Sequence, residues 1–242
     1  MKKINNDKII SDNPKSLLSE SIKTIRTNLA FANLNNKMQV ILITSPTSGD
    51  GKSFISANLA AAYSEEDKKV LLIDCDLRRG RQHHIFNIIN SATGGYSNLI
   101  YNYNSKDNTF EKKIRDYILK TSYKNLYVLP TGPTPPNPVE LLASNNNKEL
   151  IKKLRKMFDI IILDCPPAVG LSDSLILSKL SDANVVVITS HRTRSELLEQ
   201  TIKNFEQVGS QITGVVINNV NIKKNSYYGY YTKDYYSENK VK

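Results

Sequence analysis

The feature that most constrains this chain is a series of apolar, β-branched runs set between stretches of helical periodicity. Gln39–Thr44, Val70–Asp74, Ile160–Asp164 and Ala183–Thr189 read as buried strands, with Gly214–Asn218 as a fifth and Leu126–Leu129 as a sixth. Runs that are apolar on both faces suit parallel strands lying between helical layers. Helical patterns at Lys52–Glu65, Asn147–Phe158, Leu171–Leu180 and Thr193–Val208 separate most of these runs. Strands alternating with helices imply right-handed crossovers, and hence an α/β fold with a mostly parallel sheet between two helical layers. Ligands of such sheets lie beyond the carboxyl ends of the strands.

The remaining segments are less regular. A helix is predicted from Pro14 to about Leu34, with Leu18, Ile22, Ile25 and Leu29 as its apolar stripe and Glu20, Lys23 and Arg26 on the other side. Residues 88–125 are polar and rich in Asn, Ser and Tyr, and no element is assigned there. Pro130–Pro138, PTGPTPPNP, reads as a rigid loop without helix or ladder capacity. From Asn221 onward the sequence turns polar and tyrosine-rich, so the expected organisation is one domain over 1–220 and a mobile tail over 221–242.

Charge and composition narrow the class further. The 242 residues carry a net charge of +10, which favours anionic partners or a simply lysine-rich surface. The basic groups are scattered and lack the interleaved aromatics of a single-strand nucleic-acid groove, so no nucleic acid is expected. No apolar run reaches about 18 residues, and Lys2 and Lys3 have no apolar stretch behind them. Cys75 and Cys165 are too few for a disulfide framework. A soluble, cytoplasmic protein is expected.

Three strand ends carry the chemistry. SPTSGDGKS, Ser45–Ser53, follows a strand and opens a helix, as a phosphate-binding loop requires. Gly49 and Gly51 let backbone N–H groups approach phosphate, Lys52 would reach the β- and γ-phosphates, and Ser53 would ligate magnesium. Pro46 stands where the usual first glycine falls. In VLLIDCDLRR, Asp74 closes a strand and Asp76 lies two residues on, on the same side if the chain stays extended, with Cys75 opposite. Asp164, in IIILDCPP, occupies the acidic position that holds magnesium directly or through water. The fold is thereby specified as P-loop nucleotide-hydrolase-like, with ATP and Mg2+ as ligands.

With these motifs in place, the chain resembles the bacterial tyrosine kinases of capsule and exopolysaccharide systems. The likeness runs from about Ser19 to the carboxy terminus, through SPTSGDGKS, LLIDCDLRR, LPTGPTPPNPVELLAS, IILDCPPAVGLSD and GVVINN in that order. It implies a nucleotide cradle of Ser48, Gly49, Asp50, Gly51, Lys52, Ser53 and Phe54, with Asn218 at the adenine. It further implies metal binding by Ser53, Asp76 and Asp164, and catalysis by Asp74, as base, with Lys52. The acceptors would be Tyr227, Tyr228, Tyr230, Tyr231, Tyr235 and Tyr236 in the tail.

Glu20, Lys23 and Arg26 resemble a helix motif used for assembling a ring, of which an octamer is one expected size, with Lys23 in place of an arginine. The resemblance also implies a transmembrane adaptor of the polysaccharide co-polymerase type that recruits the kinase to the inner membrane face, a cognate tyrosine phosphatase, and sugar-nucleotide enzymes as substrates. The nearest rivals are septum-site and partitioning ATPases of the same fold, whose signature lysine is replaced here by Thr47. An ATP-binding scaffold without catalysis is the third reading.

Overall fold

In a computed structural model, residues 9–32, 38–88, 94–104 and 110–221 of the chain are described. The elements are a 3-10 turn at Ile10–Asp12, α1 (Leu17–Ala32), β1 (Val40–Thr44), α2 (Lys52–Ser64), β2 (Val70–Asp74), α3 (Gln82–Ile85), α4 (Tyr96–Tyr101) and α5 (Phe110–Tyr117). There follow β3 (Leu119–Lys120), β4 (Leu126–Leu129), α6 (Pro138–Ala143), α7 (Asn145–Met157), β5 (Ile160–Asp164), α8 (Asp173–Leu177), β6 (Ala183–Thr189), α9 (Ser195–Gln207) and β7 (Gly214–Asn218).

The strands form one sheet in the order β3-β4-β2-β5-β1-β6-β7, parallel throughout except for β3 against β4. Every residue of β1, β2 and β5 is buried, because helices cover both faces and leave no side of these strands to water. Alternation along the strands splits the apolar residues between two cores. Ile41, Ile43, Leu72 and Ile162 meet α1 and α2, whereas Val40, Leu42, Leu71, Ile73 and Leu163 meet Tyr96, Leu150, Leu154 and Phe205 on the other side.

Where the sequence reading and the structure differ, local chemistry gives the reason. The amino-terminal helix starts at Leu17, because Ser16 Oγ accepts the Ser19 N–H (3.1 Å) and caps it. Its stripe is narrower than expected: Ile22 and Leu29 are buried, but Leu18 is exposed at the rim of a cleft. Pro138, assigned to a loop, is the first residue of α6, where a missing N–H costs nothing. The unassigned stretch holds α4 and α5, whose Tyr96 and Phe110 are buried in the second core. The tyrosine-rich tail, including Tyr227, Tyr228, Tyr230, Tyr231, Tyr235 and Tyr236, lies outside the described residues.

Candidate functional site

β1, β2 and β5 end side by side, with Asp74 in register with Asp164 and Ile43 with Asp164. The loop between β1 and α2 wraps over these ends. Gly49 (φ 87°) and Gly51 (φ 93°) take up left-handed backbone that other residues rarely adopt, and a Cβ on Gly51 would strike the Asn218 amide. Lys52 then opens α2 with its ammonium 3.5 Å from Asp76 and 3.9 Å from Asp164, and 3.2 Å from Ser53 Oγ. Lys52, Ser53 and Asp76 border a cleft of about 1400 Å³ with Ser48, Phe54 and Asn218, and Asp164 lies buried behind them. The sequence-predicted nucleotide and metal residues therefore converge on one place.

The electrostatics are strained in a specific way. Burial opposes the charge of Lys52, but Asp164, Asp76 and Asp74 outweigh it and hold its pKa above the ordinary lysine value. Burial, reinforced by the Asp164 charge, pushes Asp74 up to about 7, although the Gln82 N–H and Lys52 pull it down. Its Oδ2 accepts the Gln82 N–H (2.9 Å), but its buried Oδ1 has no partner among the described residues. Cys75 faces the opposite core, as alternation requires, so Asp74 and Asp76 do share a side. A carboxyl that is half proton-bound near neutrality and has one unpaired oxygen is suited to accept a proton from an incoming hydroxyl.

Several residues act here that spacing alone did not reveal. Gln82, fully buried, donates its side-chain amide to Asp164 Oδ2 (2.7 Å) and to the Ser53 carbonyl (3.0 Å), bridging the metal-side carboxylate and the loop. Ser56 donates to Asp164 Oδ1 (3.2 Å) from the next turn of α2. Arg192 reaches from the segment after β6 to the Gly49 and Ser48 carbonyls (3.1 Å each) and lines the same cleft. Asp50 was expected in the cradle, but its side chain turns inward: Thr47 N–H, Thr47 Oγ1 and Thr193 Oγ1 donate to it at 2.9, 2.8 and 2.7 Å. It shapes the loop, leaving only its backbone for a ligand. Asn218 donates to the Asp50 carbonyl (3.0 Å) beside the cleft. No signal short of knowing which loops meet would have found Gln82, Ser56 or Arg192.

The helix motif is split. Lys23 pairs with Glu20 (3.2 Å) on the exposed side of α1. Arg26 was expected there too, but it turns to α2, donating to the Ala62 carbonyl and pairing with Glu66 (3.0 Å). The carbonyls at the end of α2 attract a cation, which accounts for the turn.

The residues fit a nucleotide with a divalent cation. Among the described residues no three His, Cys, Asp or Glu side chains form a metal cage on their own. Magnesium characteristically keeps water and phosphate oxygens alongside one or two carboxylates, which is what Asp76, Asp164 and Ser53 offer. Gly49 and Gly51 hold the left-handed backbone with which such a loop turns its N–H groups toward phosphate.

Comparison with known proteins fixes the family. A family model described as an AAA domain matches residues 38–220. The tyrosine-protein kinase YwqD of Bacillus subtilis (strain 168) is 38% identical over 222 residues, covering 91% of this chain and 90% of its own. The chain belongs to the bacterial tyrosine-protein kinases. The kinase domain of Escherichia coli tyrosine kinase ETK superposes on it with a TM-score of 0.80 at 30% identity, over 90% of this kinase and 81% of that domain. The septum site-determining protein MinD of Pyrococcus horikoshii OT3 reaches a TM-score of 0.58 at 24% identity, over 74% and 69% of the two chains, and shares the fold. The kinase reading is thus favoured over the partitioning-ATPase one. Among the described residues of the kinase, no helix is long and apolar enough to cross a membrane.

Proposed function

We propose that this kinase uses magnesium-ATP to phosphorylate the tyrosines of its own tail, Tyr227, Tyr228, Tyr230, Tyr231, Tyr235 and Tyr236. The observation that carries the reading is the meeting of Lys52 with Asp74, Asp76 and Asp164 at adjacent strand ends, with Asp74 pushed up to about 7. Bound magnesium-ATP supplies the phosphoryl group and part of the charge that offsets it. The chain does the rest. Backbone N–H groups of Ser48 to Phe54 and the Lys52 ammonium hold phosphate oxygens, Ser53, Asp76 and Asp164 hold the metal, and Asn218 lies at the base. A phenol, with a pKa of about 10, is a poor nucleophile until its proton leaves. Asp74 Oδ1, more basic than an ordinary carboxylate, takes that proton as the phenolic oxygen bonds to the γ-phosphorus, the bond from that phosphorus to the bridging oxygen breaks, and ADP departs.

Tail and site belong to different subunits in this reading, so transfer occurs in trans within a ring. Exposed Glu20, with half-buried Lys23 paired to it, serves the ring contact, while Arg26 supports it from behind by fixing α1 on α2. A transmembrane adaptor brings the kinase to the inner face of the membrane, and tail phosphorylation, reversed by a phosphatase, regulates capsular or exopolysaccharide synthesis and export. Sugar-nucleotide enzymes are further substrates.

Intact-mass spectrometry after incubation with ATP and magnesium, with the adaptor's cytoplasmic peptide added, tests the reading. Mass gains in steps of one phosphate, mapped to the tail and absent from Lys52→Met, are expected. Free phosphate without mass gain would return the chain to the ATPase class, and nucleotide binding without either product would make it a scaffold.

A further inference from the structure

The segment after β2 forms a saddle over the acidic centre. The Arg79 N–H donates to Asp76 Oδ1 (3.0 Å) and the Gln82 N–H to Asp74 Oδ2 (2.9 Å). Between them, Gly80 lies so close that a Cβ there would come within 2.8 Å of Asp74 Oδ2. Arg79 and Arg81 therefore flank the residue that rests on the base. Both are exposed and line the cleft, and neither has a carboxylate partner among the described residues. Arg78, by contrast, is engaged by the buried Asp173 (3.4 Å).

The sequence supplies a ligand for the two free cations. The acceptors come in adjacent pairs, Tyr227-Tyr228, Tyr230-Tyr231 and Tyr235-Tyr236. Once one member is modified, its neighbour must enter a site holding three carboxylates while about −1.5 to −2 charges ride beside it. Coulomb repulsion opposes that approach unless fixed cations stand at the entrance. Guanidinium groups suit the task, because their planar fork forms paired, charge-assisted hydrogen bonds to phosphate. The placement also fits, since the Arg79 backbone is tethered to Asp76, the backbone of Gln82, next to Arg81, is tethered to Asp74, and both arginines are exposed.

Building on the kinase reading, we propose that Arg79 and Arg81 form a subsite for the phosphate of a phosphotyrosine adjacent to the acceptor. A half-modified pair is then a better substrate than an unmodified one, and the pairs are completed in succession. The same two side chains would otherwise be free to serve the nucleotide's own phosphates, and the test separates these sources.

The probe is a fluorescent peptide of residues 222–242 phosphorylated on Tyr228, with its unphosphorylated twin, titrated with the dephosphorylated full chain at low salt and read by anisotropy. About tenfold tighter binding of the phosphorylated peptide is expected, the worth of one charge-assisted phosphate contact. In Arg79→Gln/Arg81→Gln the two peptides should bind within about twofold of each other, and Arg79→Lys/Arg81→Lys should keep part of the preference. Equal binding of both peptides by the parent chain overturns the subsite, as does a preference that survives the double glutamine replacement. A double replacement that weakens ATP binding and leaves peptide preference intact assigns the arginines to the nucleotide instead. Since no phosphate is transferred in this measurement, a failure of the kinase reading appears separately, in the intact-mass experiment.

Discussion

Two aspartates at opposite ends of the same sheet, Asp74 buried and Asp182 near the surface, show how like groups can serve unlike purposes. Asp182, at the amino end where β6 begins, accepts the Gln39 and Val40 N–H groups (2.9 and 2.7 Å) and a two-pronged contact from Arg155 (2.7 and 2.8 Å). Burial works to raise its pKa, but Arg155 and the two N–H groups prevail and hold it below the ordinary carboxylate value. Asp74, at the carboxyl end of β2, has one N–H on Oδ2, nothing among the described residues on Oδ1, and like charges nearby. The satisfied aspartate staples β1, β6 and α7 together. The unsatisfied one retains unspent capacity for a proton, and a fold keeps such a group where it has work to do.

The comparison breaks most visibly if each aspartate is made an asparagine of the same shape. Asp74→Asn should lower tail phosphorylation by about a hundredfold or more, the usual scale of a lost general base, while thermal stability holds or rises. Phosphotransfer at the parent rate would remove Asp74 from the mechanism. Asp182→Asn should do the reverse. Loss of a charged, bidentate contact at this solvent-screened position costs about 1 kcal/mol of stability in a denaturant melt, with initial phosphotransfer rates unchanged below the melting range. A tenfold loss of rate in a fully folded Asp182→Asn protein would show that the two ends of the sheet are coupled. Smaller again is Gln82→Leu, which strips the amide from Asp164 and the Ser53 carbonyl but keeps the N–H on Asp74. A drop of about tenfold in kcat is expected, with KM for ATP changed less; equal changes in both would make Gln82 part of the nucleotide cradle.

The sheet was legible because burial on both faces writes inner strands as unbroken apolar runs: β2, β4, β5 and β6 begin and end as the runs do, and the half-exposed edge strand β7 keeps the same β-branched composition. β3 was not, since two residues paired at an edge leave no periodicity to read. α4 and α5 hid among Asn and Ser because each is short and anchored by few apolar residues, Tyr96, Leu99 and Ile100 in one and Phe110 and Ile114 in the other. At the site, the glycines, Lys52 and the three aspartates declare themselves, as each sits at a strand end with a fixed chemical need. Gln82, Ser56 and Arg192 do not, because their partners are 82, 108 and 143 or 144 positions away and only the fold brings them together. Arg26 misled for the same reason: its helix face was readable, but the end of α2 that captures it was not.

The finest separation of the two aspartates is in the pH dependence of stability without nucleotide. Asp74 has a folded pKa of about 7, above the ordinary carboxylate value near 4. The folded state holds that proton more tightly, so the stabilising contribution is complete below about pH 4 and is lost as pH rises through about 7. Asp182 is shifted down, so its contribution is present above about pH 4 and is lost as pH falls through its folded pKa. The parent chain should therefore gain stability on leaving acid and slope downward between about pH 4 and 7 from this term. Urea melts across that range, with m constant, measure both limbs. Asp74→Asn should flatten the neutral limb alone and Asp182→Asn the acid limb alone. A neutral slope that persists in Asp74→Asn would mean that the proton resides elsewhere in the cluster, and the contrast between the two ends would lose its electrostatic basis.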